Sequence, residues 1–247
     1  MVKKSHASGP ECDVAAARSI ASVGAMKTAL IAGASGLVGR HLLDQLLAAD
    51  EYDRVVSVGR RTLPLEHPKL RQETVDFAAL EGKGVDLACD DAFCCLGTTI
   101  RQAGSQEKFR AVDHGAVLAL AWAVQRRGAQ RFLVVTAMGA DARSRVFYNR
   151  VKGETEEALQ VLDFGTLAIF RPSLLLGNRP RPRLGERVFA ALMWLADPLM
   201  FGPLRKYRAI RADVVARAML RCSFGTGARG LLVFPSDEIE DLGGFGS

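Results

Sequence analysis

The most constraining feature of the sequence is a glycine-rich turn that joins a short apolar run to a helix-like segment. The run Thr28–Ala34 reads TALIAGA, and Gly33, Gly36 and Gly39 follow the spacing G-x-x-G-x-x-G before the leucines of HLLDQLL. Glycines here let a bound group approach the backbone, and the start of the helix supplies free N–H groups and a positive dipole end. The stretch predicts a pyrophosphate-binding unit, with a merely tight turn as the alternative.

The rest of the chain repeats the alternation of strand-like and helix-like segments. Strand-like runs are RVVSVG, the weaker ETVDF, AFCCLG, RFLVVTAMGA and TLAIFRP, and helical patterns cover GRHLLDQLLAAD, RAVDHGAVLALAWAVQRRG and Tyr148–Leu162. A β-α-β alternation predicts an α/β fold, a doubly wound parallel sheet of the Rossmann type. We expect one NAD(P)-binding domain over residues 26–247, preceded by a disordered tail at residues 1–25.

The pattern changes towards the C-terminus. The loop GNRPRPRLGER is followed by helical patterns at Glu186–Ala196 and Val214–Arg221 and by a late strand, GLLVFP. We interpret residues 177–247 as a small region that covers the substrate side of the domain. The apolar stretch Val188–Leu195 would form either a wall of the substrate site or ordinary core.

Composition and charge exclude several classes of protein. Of the 247 residues 49% are hydrophobic and 24% are charged, and the net charge is +6. This modest, scattered basicity suits an anionic cofactor and a small-molecule substrate, and it is too weak to indicate nucleic acid. No apolar run approaches the roughly 18 residues of a membrane span. Helices of such folds often pair, so a monomer or a homodimer is expected.

The five cysteines, Cys12, Cys89, Cys94, Cys95 and Cys222, show neither a C-x-x-C motif nor a paired spacing. No disulfide framework and no metal site is therefore expected. Reduced thiols predict a cytoplasmic location. Cys94 and Cys95 are adjacent in a strand, so their side chains point to opposite faces. They are expected to be small buried residues, with a redox-active thiol as the alternative.

The second strand-like run ends in two arginines, Arg60 and Arg61. An NAD site usually has an acidic residue here for the ribose hydroxyls, whereas two guanidinium groups suit a 2′-phosphate. We therefore expect NADP(H) to be preferred over NAD(H), unless both arginines are simply solvated. Asp76 and Phe77 end the third run, where the adenine edge would lie, although Phe77 could equally be core.

Tyr148 and Lys152 are four residues apart in a predicted helix, so they share one face. A Lys152 ammonium would favour the phenolate of Tyr148, which could then give or take a proton while hydride passes to or from a nicotinamide. Thr136 ends the fifth strand and could orient the substrate oxygen. Chance spacing on a wet helix is the alternative. The residues that follow the fourth strand at the same carboxyl edge are Leu96, Gly97 and Thr98.

Seven motifs, GASGLVGR, GRR, VDF, FCCLGTT, GAD, YNRVKGE and FRPSLLLG, occur in the order found in short-chain dehydrogenases/reductases. Over about Lys27–Arg221 the chain resembles their atypical branch, typified by the Tat-interacting oxidoreductase-like proteins and their bacterial relatives. The resemblance implies that Tyr148 transfers a proton with Lys152 as its partner. One departure is Thr136-Ala137 in place of the usual serine pair. The resemblance places on the cofactor Ser35, Gly36, Leu37, Val38, Arg60, Arg61, Leu96, Gly97, Leu175 and Arg183.

Three functions stay open at this point. The first is an NADP(H)-dependent oxidoreductase of short-chain dehydrogenase type that acts on a small carbonyl or alcohol. The second is an NADP(H)-sensing regulatory protein with little turnover, favoured by Ala137 and by the lack of an obvious polar substrate constellation. The third is a nucleotide-sugar epimerase or dehydratase, which would need a larger C-terminal region than the roughly 70 residues after Gly177.

Overall fold

The computed structural model of the chain describes residues 27–82, 85–177, 205, 207–225 and 229–244. The strands are β1 (Lys27–Ala32), β2 (Tyr52–Gly59), β3 (Leu70–Thr74), β4 (Asp91–Cys94), β5 (Arg131–Val135), β6 (Thr166–Arg171), β7 (Leu175–Leu176), β8 (Ile210–Arg211) and β9 (Gly230–Pro235). The helices are α1 (Leu37–Ala48), α2 (Ile100–Ala103), α3 (Gln106–Arg110), α4 (Val117–Gln125), α5 (Phe147–Gln160), α6 (Ala212–Phe224) and α7 (Ser236–Gly243). A 3₁₀ stretch, Phe77–Gly82, follows β3, and a π-helical stretch, Ala111–Ala116, joins α3 to α4.

The main sheet has the strand order β3-β2-β1-β4-β5-β6-β9, and every neighbouring pair is parallel. β1 lies in the middle of the sheet. β2 and β3 extend the sheet to one edge, and β4, β5, β6 and β9 extend it to the other. The predicted fold class, a doubly wound parallel sheet of the Rossmann type, is confirmed. The predicted tail and the helical pattern at 186–196 lie outside the described residues.

Each face of the sheet carries its own apolar core. Along β1, Ala29 and Ile31 pack with α1 and α6, whereas Leu30 and Ala32 pack with α4 and α5, and all four side chains are fully buried. A strand buried on both faces reads as a continuous apolar run, which is why TALIAGA shows no alternation. In open parallel sheets of this kind ligands bind at the carboxyl ends of the strands.

Two elements differ from the sequence prediction. β3 ends at Thr74, and the predicted run ETVDF continues beyond it: the buried Val75 still donates its N–H to the Gly59 carbonyl oxygen at 2.9 Å, and the buried Phe77 begins the 3₁₀ stretch. The apolar residues of that run therefore indicate burial that continues beyond the end of β3. The helix predicted over RAVDHGAVLALAWAVQRRG is interrupted by the π-helical stretch Ala111–Ala116.

The described residues after Gly177 also extend the main fold. α6 packs into the same core as α1, and β9 pairs with β6 as the seventh strand of the sheet. β7 pairs with β8 in a separate two-stranded sheet. A Cβ on Gly177 would lie 2.6 Å from Leu37 Cδ1. β7 therefore ends directly above the start of α1.

A buried polar network holds the amino ends of the strands together. The Tyr52 hydroxyl donates to Asp91 Oδ2 at 2.6 Å and lies 3.0 Å from Ser223 Oγ on α6. Arg131 donates to both oxygens of Asp91, at 2.5 and 2.8 Å. Burial, reinforced by the Asp91 carboxylate, raises the pKa of Tyr52, so the phenol stays protonated and keeps its hydrogen bond.

Candidate functional site

The glycine loop has the geometry that its spacing predicts. Gly33 has φ +84°, and a Cβ there would lie 2.5 Å from the Cys95 carbonyl oxygen. A Cβ on Gly39 would lie 2.1 Å from the Gly33 carbonyl oxygen. Only glycine therefore fits at either position, because both contacts are with backbone that cannot move aside.

The first turn of α1 is free to bind an anion. Gly36 is the N-cap residue, with no side chain to accept a bond from the first N–H groups, and the first turn contains no acidic residue. Ser35 is exposed and Val38 is buried, so the turn presents backbone and a hydroxyl to solvent while the helix packs on its other side. These donors fit a pyrophosphate.

A buried ion pair lies beside the loop that follows β4, at the carboxyl edge. Lys152 Nζ on α5 is 2.8 Å from Asp113 Oδ1, and the two side chains are 5% and 1% exposed. Asp113 Oδ2 accepts from the Thr98 backbone N–H at 2.8 Å. Gly97 is exposed above the pair, and a Cβ there would lie 3.8 Å from Lys152 Nζ. The glycine thus keeps a route open to the lysine.

The environment of Lys152 favours the ammonium form. Burial alone lowers the pKa of Lys152, but the Asp113 carboxylate, with a smaller contribution from Tyr148, outweighs it, and the net shift is upward. Asp113, the ion-pair partner of Lys152, is a candidate site residue that the sequence did not predict. The signal available was its position, four residues after Phe109 and four before Val117 on the face that is buried.

Tyr148 begins α5 and is half-buried. Its ring packs on the fully buried Phe109, with 5.4 Å between ring centroids, and this fixes its direction at the start of the helix. One turn later on the same face comes Lys152. The predicted phenol and ammonium are therefore both at the carboxyl edge, on one rigid helix.

Thr136 is directed elsewhere. Its hydroxyl donates to Glu156 Oε1 at 2.6 Å, and the side chain is 6% exposed. Glu156 also forms an ion pair with Arg171, whose Nε lies 3.1 Å from both carboxylate oxygens. Among the described residues no hydrogen bond joins Thr136 to Tyr148, so the predicted orienting role of Thr136 lacks a direct contact here.

Gly153 explains why a glycine follows Lys152 in the motif YNRVKGE. A Cβ on Gly153 would lie 2.1 Å from the Ala142 backbone nitrogen and 2.2 Å from the Asp141 carbonyl carbon. The loop after β5 therefore rests directly on α5. The Asp141 N–H donates to the Asn149 carbonyl oxygen at 3.1 Å, which fixes this loop against the first turn of the helix.

The remaining predicted cofactor residues lie around the same edge, with the exceptions of Phe77 and Arg183. Arg60 and Arg61 are exposed directly after β2. Asp76 is exposed and caps the following turn by accepting from the Ala78 N–H at 3.0 Å. Phe77 is 8% exposed and belongs to the core. Arg183 lies outside the described residues. Leu96 and Leu175 are partly buried, and each packs against one of the two cores.

The described cysteines are free thiols. Cys94 is fully buried in the core beside α4, whereas Cys95 packs into the core beside α1. Burial raises the pKa of Cys94 to about 12 and raises that of Cys95 as well, so neither thiol is a reactive thiolate. Within the described ranges no cluster of His, Cys, Asp and Glu could hold a metal ion, and no helix is long and apolar enough to cross a membrane.

Residues 33–162 match the NAD(P)H-binding family. The chain belongs to this family, and the predicted relationship to the atypical short-chain dehydrogenases/reductases is confirmed by this match and by the relative described next. A relative of known name is the protein HTATIP2 of Rattus norvegicus, which is 35% identical over 225 residues that cover 88% of this chain and 89% of that protein.

Fungal relatives correct the expected location. FMP52 of Eremothecium gossypii, named as mitochondrial, is 34% identical over 151 residues that cover 61% of this chain and 67% of that protein. An Aspergillus niger protein of the same name is 28% identical over 200 residues, 78% of this chain and 85% of its own length. The cytoplasmic prediction is therefore wrong: reduced cysteines exclude only oxidising compartments.

Solved structures share the fold at low sequence identity. MoeE5 in complex with UDP-glucose and NAD aligns with a TM-score of 0.62 at 17% identity, covering 87% of this chain and 80% of that one. Human epimerase family protein SDR39U1 with NADPH aligns with a TM-score of 0.58 at 18% identity, covering 84% and 74%. At these identities the likeness establishes the fold and nothing finer.

Proposed function

We propose that this chain is an NADP(H)-dependent oxidoreductase that interconverts a small carbonyl compound and its alcohol. The observation that carries the proposal is Lys152, an ammonium held charged in a buried position, on the same helix face as Tyr148 and beside Gly97 in the loop after β4. A charged lysine next to a phenol suits proton transfer at a carbonyl oxygen.

The binding part follows from the carboxyl edge. Gly33, Ser35, Gly36, Leu37, Val38 and Gly39 would hold the pyrophosphate. Arg60 and Arg61 would hold the 2′-phosphate, and Asp76 would lie at the adenine edge. Leu96, Gly97, Thr98 and Leu175 would line the cofactor. NADPH, when bound, supplies the hydride.

The chemical part belongs to α5. Tyr148 gives a proton to the carbonyl oxygen during reduction and takes it back during oxidation. Lys152 would supply a positive charge on the same helix face, one turn after the phenol. Lys152 would also donate to the nicotinamide ribose. Both side chains are on one helix, so their separation is fixed before any ligand arrives.

The experiment separates binding from turnover. NADPH is titrated by its fluorescence, and aldehydes, ketones and quinones are then screened for NADPH oxidation by wild type and Tyr148→Phe. The phenol contributes general acid–base catalysis, so Tyr148→Phe should lose about 100-fold or more in kcat while its Kd for NADPH stays unchanged. Full activity in this variant would remove Tyr148 from the mechanism.

One observation favours a second candidate, an NADP(H)-sensing protein with little turnover. Ala137 has no hydroxyl, and the Thr136 hydroxyl donates to Glu156, so no side-chain hydroxyl of this pair faces a substrate. Tight NADPH binding with no Tyr148-dependent turnover in the screen would select this candidate. A nucleotide-sugar epimerase gains from the solved structures only a likeness of fold.

A further inference from the structure

Two described segments at the carboxyl edge carry an excess of basic residues. Residues 100–110, which contain α2 and α3, have three basic residues and one acidic residue, and residues 141–150, which lead into α5, have the same numbers. The whole chain is more even, with 33 basic and 27 acidic residues. We call these two segments the basic patch. Basic side chains clustered on one face attract anions.

The two segments of the basic patch meet beside Tyr148. The fully buried ring of Phe109 on α3 lies 5.9 Å from that of Phe147 and 5.4 Å from that of Tyr148, between centroids. An ion pair also joins the segments, with Arg110 Nη1 on α3 2.5 Å from Glu154 Oε2 on α5. The positive charges of the two segments are therefore brought to the phenol that we propose to transfer the proton.

The acidic residues in and beside the basic patch do not balance its charge. Glu154 is shared by two cations, since it also lies 4.0 Å from Arg150 Nε. Asp141 Oδ1 accepts from the Arg143 backbone N–H at 2.9 Å. With Glu107 included, three carboxylates stand against six basic residues, and three positive charges remain in excess. Four cations are exposed and have no ion pair with any residue that the structure describes, namely Arg101, Lys108, Arg143 and Arg145.

The loop that carries Arg143 and Arg145 is held in place close to the phenol. The Arg150 guanidinium donates to the Ser144 carbonyl oxygen at 3.0 Å, so the residue between the two arginines is tied to α5. Arg145 is three residues before Tyr148, and three residues of chain span at most about 11 Å. A small molecule whose carbonyl lies at the phenol is therefore within reach of a guanidinium.

We propose that the substrate is an anionic carbonyl compound, whose carboxylate or phosphate is bound by Arg143 and Arg145 while its carbonyl lies at Tyr148. This rests on the proposed function, because the phenol marks the reacting end. A planar guanidinium matches the oxygens of both anions. The pair differs from Arg60 and Arg61, which follow β2, because β1 separates β2 from β4 and β5 in the sheet.

The test uses two matched pairs of aldehydes in the NADPH oxidation assay, 4-formylbenzoate against its methyl ester and D-glyceraldehyde 3-phosphate against D-glyceraldehyde. The anionic member of one pair should have a kcat/KM at least about fivefold higher, and the pair that shows this advantage distinguishes a carboxylate from a phosphate. In Arg143→Ser/Arg145→Ser the advantage should disappear. In Arg126→Ser/Arg127→Ser, which removes the same charge at the amino edge, it should remain.

Three results overturn the proposal: no advantage for either anion in the wild type, an equal loss in the control variant, or a rise in the NADPH Kd of Arg143→Ser/Arg145→Ser. The last would assign the arginines to the cofactor. Amide NMR shifts of ¹⁵N-labelled protein with NADP⁺, which cannot deliver a hydride, follow binding of the two anions without turnover. If no aldehyde is reduced, shifts at residues 143–148 that the double variant lacks would support the anion site and refute the proposed oxidoreductase. Turnover without an anionic preference would do the reverse.

Discussion

Two buried carboxylates, Asp91 and Asp113, lie at opposite edges of the same parallel sheet and are used differently. Asp91, at the amino edge, accepts hydrogen bonds from Nε and Nη2 of Arg131 and from the Tyr52 hydroxyl. Asp113, at the carboxyl edge, has Lys152 and the Thr98 N–H. Both are almost fully buried, at 0% and 1% exposure.

The difference lies in the partner. Arg131 donates two hydrogen bonds to Asp91 and Tyr52 donates a third, and this network joins β2, β4 and β5. Little hydrogen-bonding capacity of Asp91 is then left for a ligand. A lysine has three N–H donors, and within the described residues Asp113 is its one ion-pair partner. The amino-edge network therefore stabilises the fold, whereas we propose that the carboxyl-edge pair holds a charged donor for a ligand.

The largest expected effect is on stability, at the amino edge. Asp91→Ala leaves Arg131 and Tyr52 without their shared partner, and breaking a buried pair costs about 3–5 kcal/mol in the free energy of unfolding. Chemical denaturation measures the loss. The exposed pair Arg54–Asp86 gives the control, since Asp86→Ala should cost less than about 1 kcal/mol. A loss of NADPH affinity in folded Asp91→Ala would break the separation between the two edges.

The next effect concerns the glycine loop. Gly39→Ala places a Cβ 2.1 Å from the Gly33 carbonyl oxygen, so the loop and α1 must move apart. Such overpacking costs about 1–3 kcal/mol of stability, and the NADPH Kd should rise at least about tenfold because the donors are displaced. In Gly115→Ala the new Cβ approaches no atom more closely than 4.0 Å, so this helical glycine is the control. Unchanged NADPH affinity in Gly39→Ala would place the pyrophosphate elsewhere.

A smaller effect should distinguish NADPH from NADH. Replacing Arg60 and Arg61 with serine removes two charged donors, and the NADPH Kd should rise by about 10- to 100-fold while the NADH Kd stays the same. The adjacent pair Arg126 and Arg127, exposed between α4 and β5 at the amino edge, gives a control with the same change in charge. Equal losses from both pairs would indicate a general charge effect and no 2′-phosphate site.

The smallest effect is a pH dependence beside Asp113. Burial, followed by the nearby Arg110 guanidinium, lowers the pKa of His114, whose Nδ1 lies 3.1 Å from Thr155 Oγ1. The unfolded chain binds this proton more readily than the folded one, so the stability contribution is present above about pH 6.5 and is lost as the pH falls below it. His114→Gln should flatten the decline in stability from pH 7 to pH 5, with the exposed His67→Gln as the control. The same slope in both variants would show that His114 does not contribute.

Local sequence patterns predicted the main strands and helices, and within the candidate site they predicted the glycine loop, Tyr148 and Lys152. The glycine spacing gave the turn after β1, and the i, i+4 spacing placed Tyr148 and Lys152 on one helix face, because both follow from backbone geometry over a few residues. The end of β3 was misplaced, since β3 stops at Thr74 and the buried Phe77 begins a 3₁₀ stretch. Short patterns report burial well, but they do not report which partner covers a side chain.

The parts of the candidate site that the sequence did not predict depend on contacts between segments that are distant along the chain. Asp113 meets Lys152 because the π-helical stretch packs against α5, and no spacing in RAVDHGAV predicts that stretch. Thr136 was expected to orient the substrate oxygen, and this stays a prediction; its hydroxyl donates to Glu156, which is 20 residues along the chain. Arg171 then completes that network from β6. Such pairings are set by the packing of helices on the sheet and not by the local sequence.

We propose that the carboxyl edge, where Lys152 lies beside the loop after β4, binds NADP(H). The amino edge, by contrast, only stabilises the fold. Hydrogen–deuterium exchange of the wild-type protein with and without NADPH tests it most directly. We predict slower exchange in the segments at 33–40, 60–61, 96–98 and 148–152, and no change around Tyr52, Asp91 and Arg131. Protection centred on the amino edge, or no protection at saturating NADPH, would contradict the account.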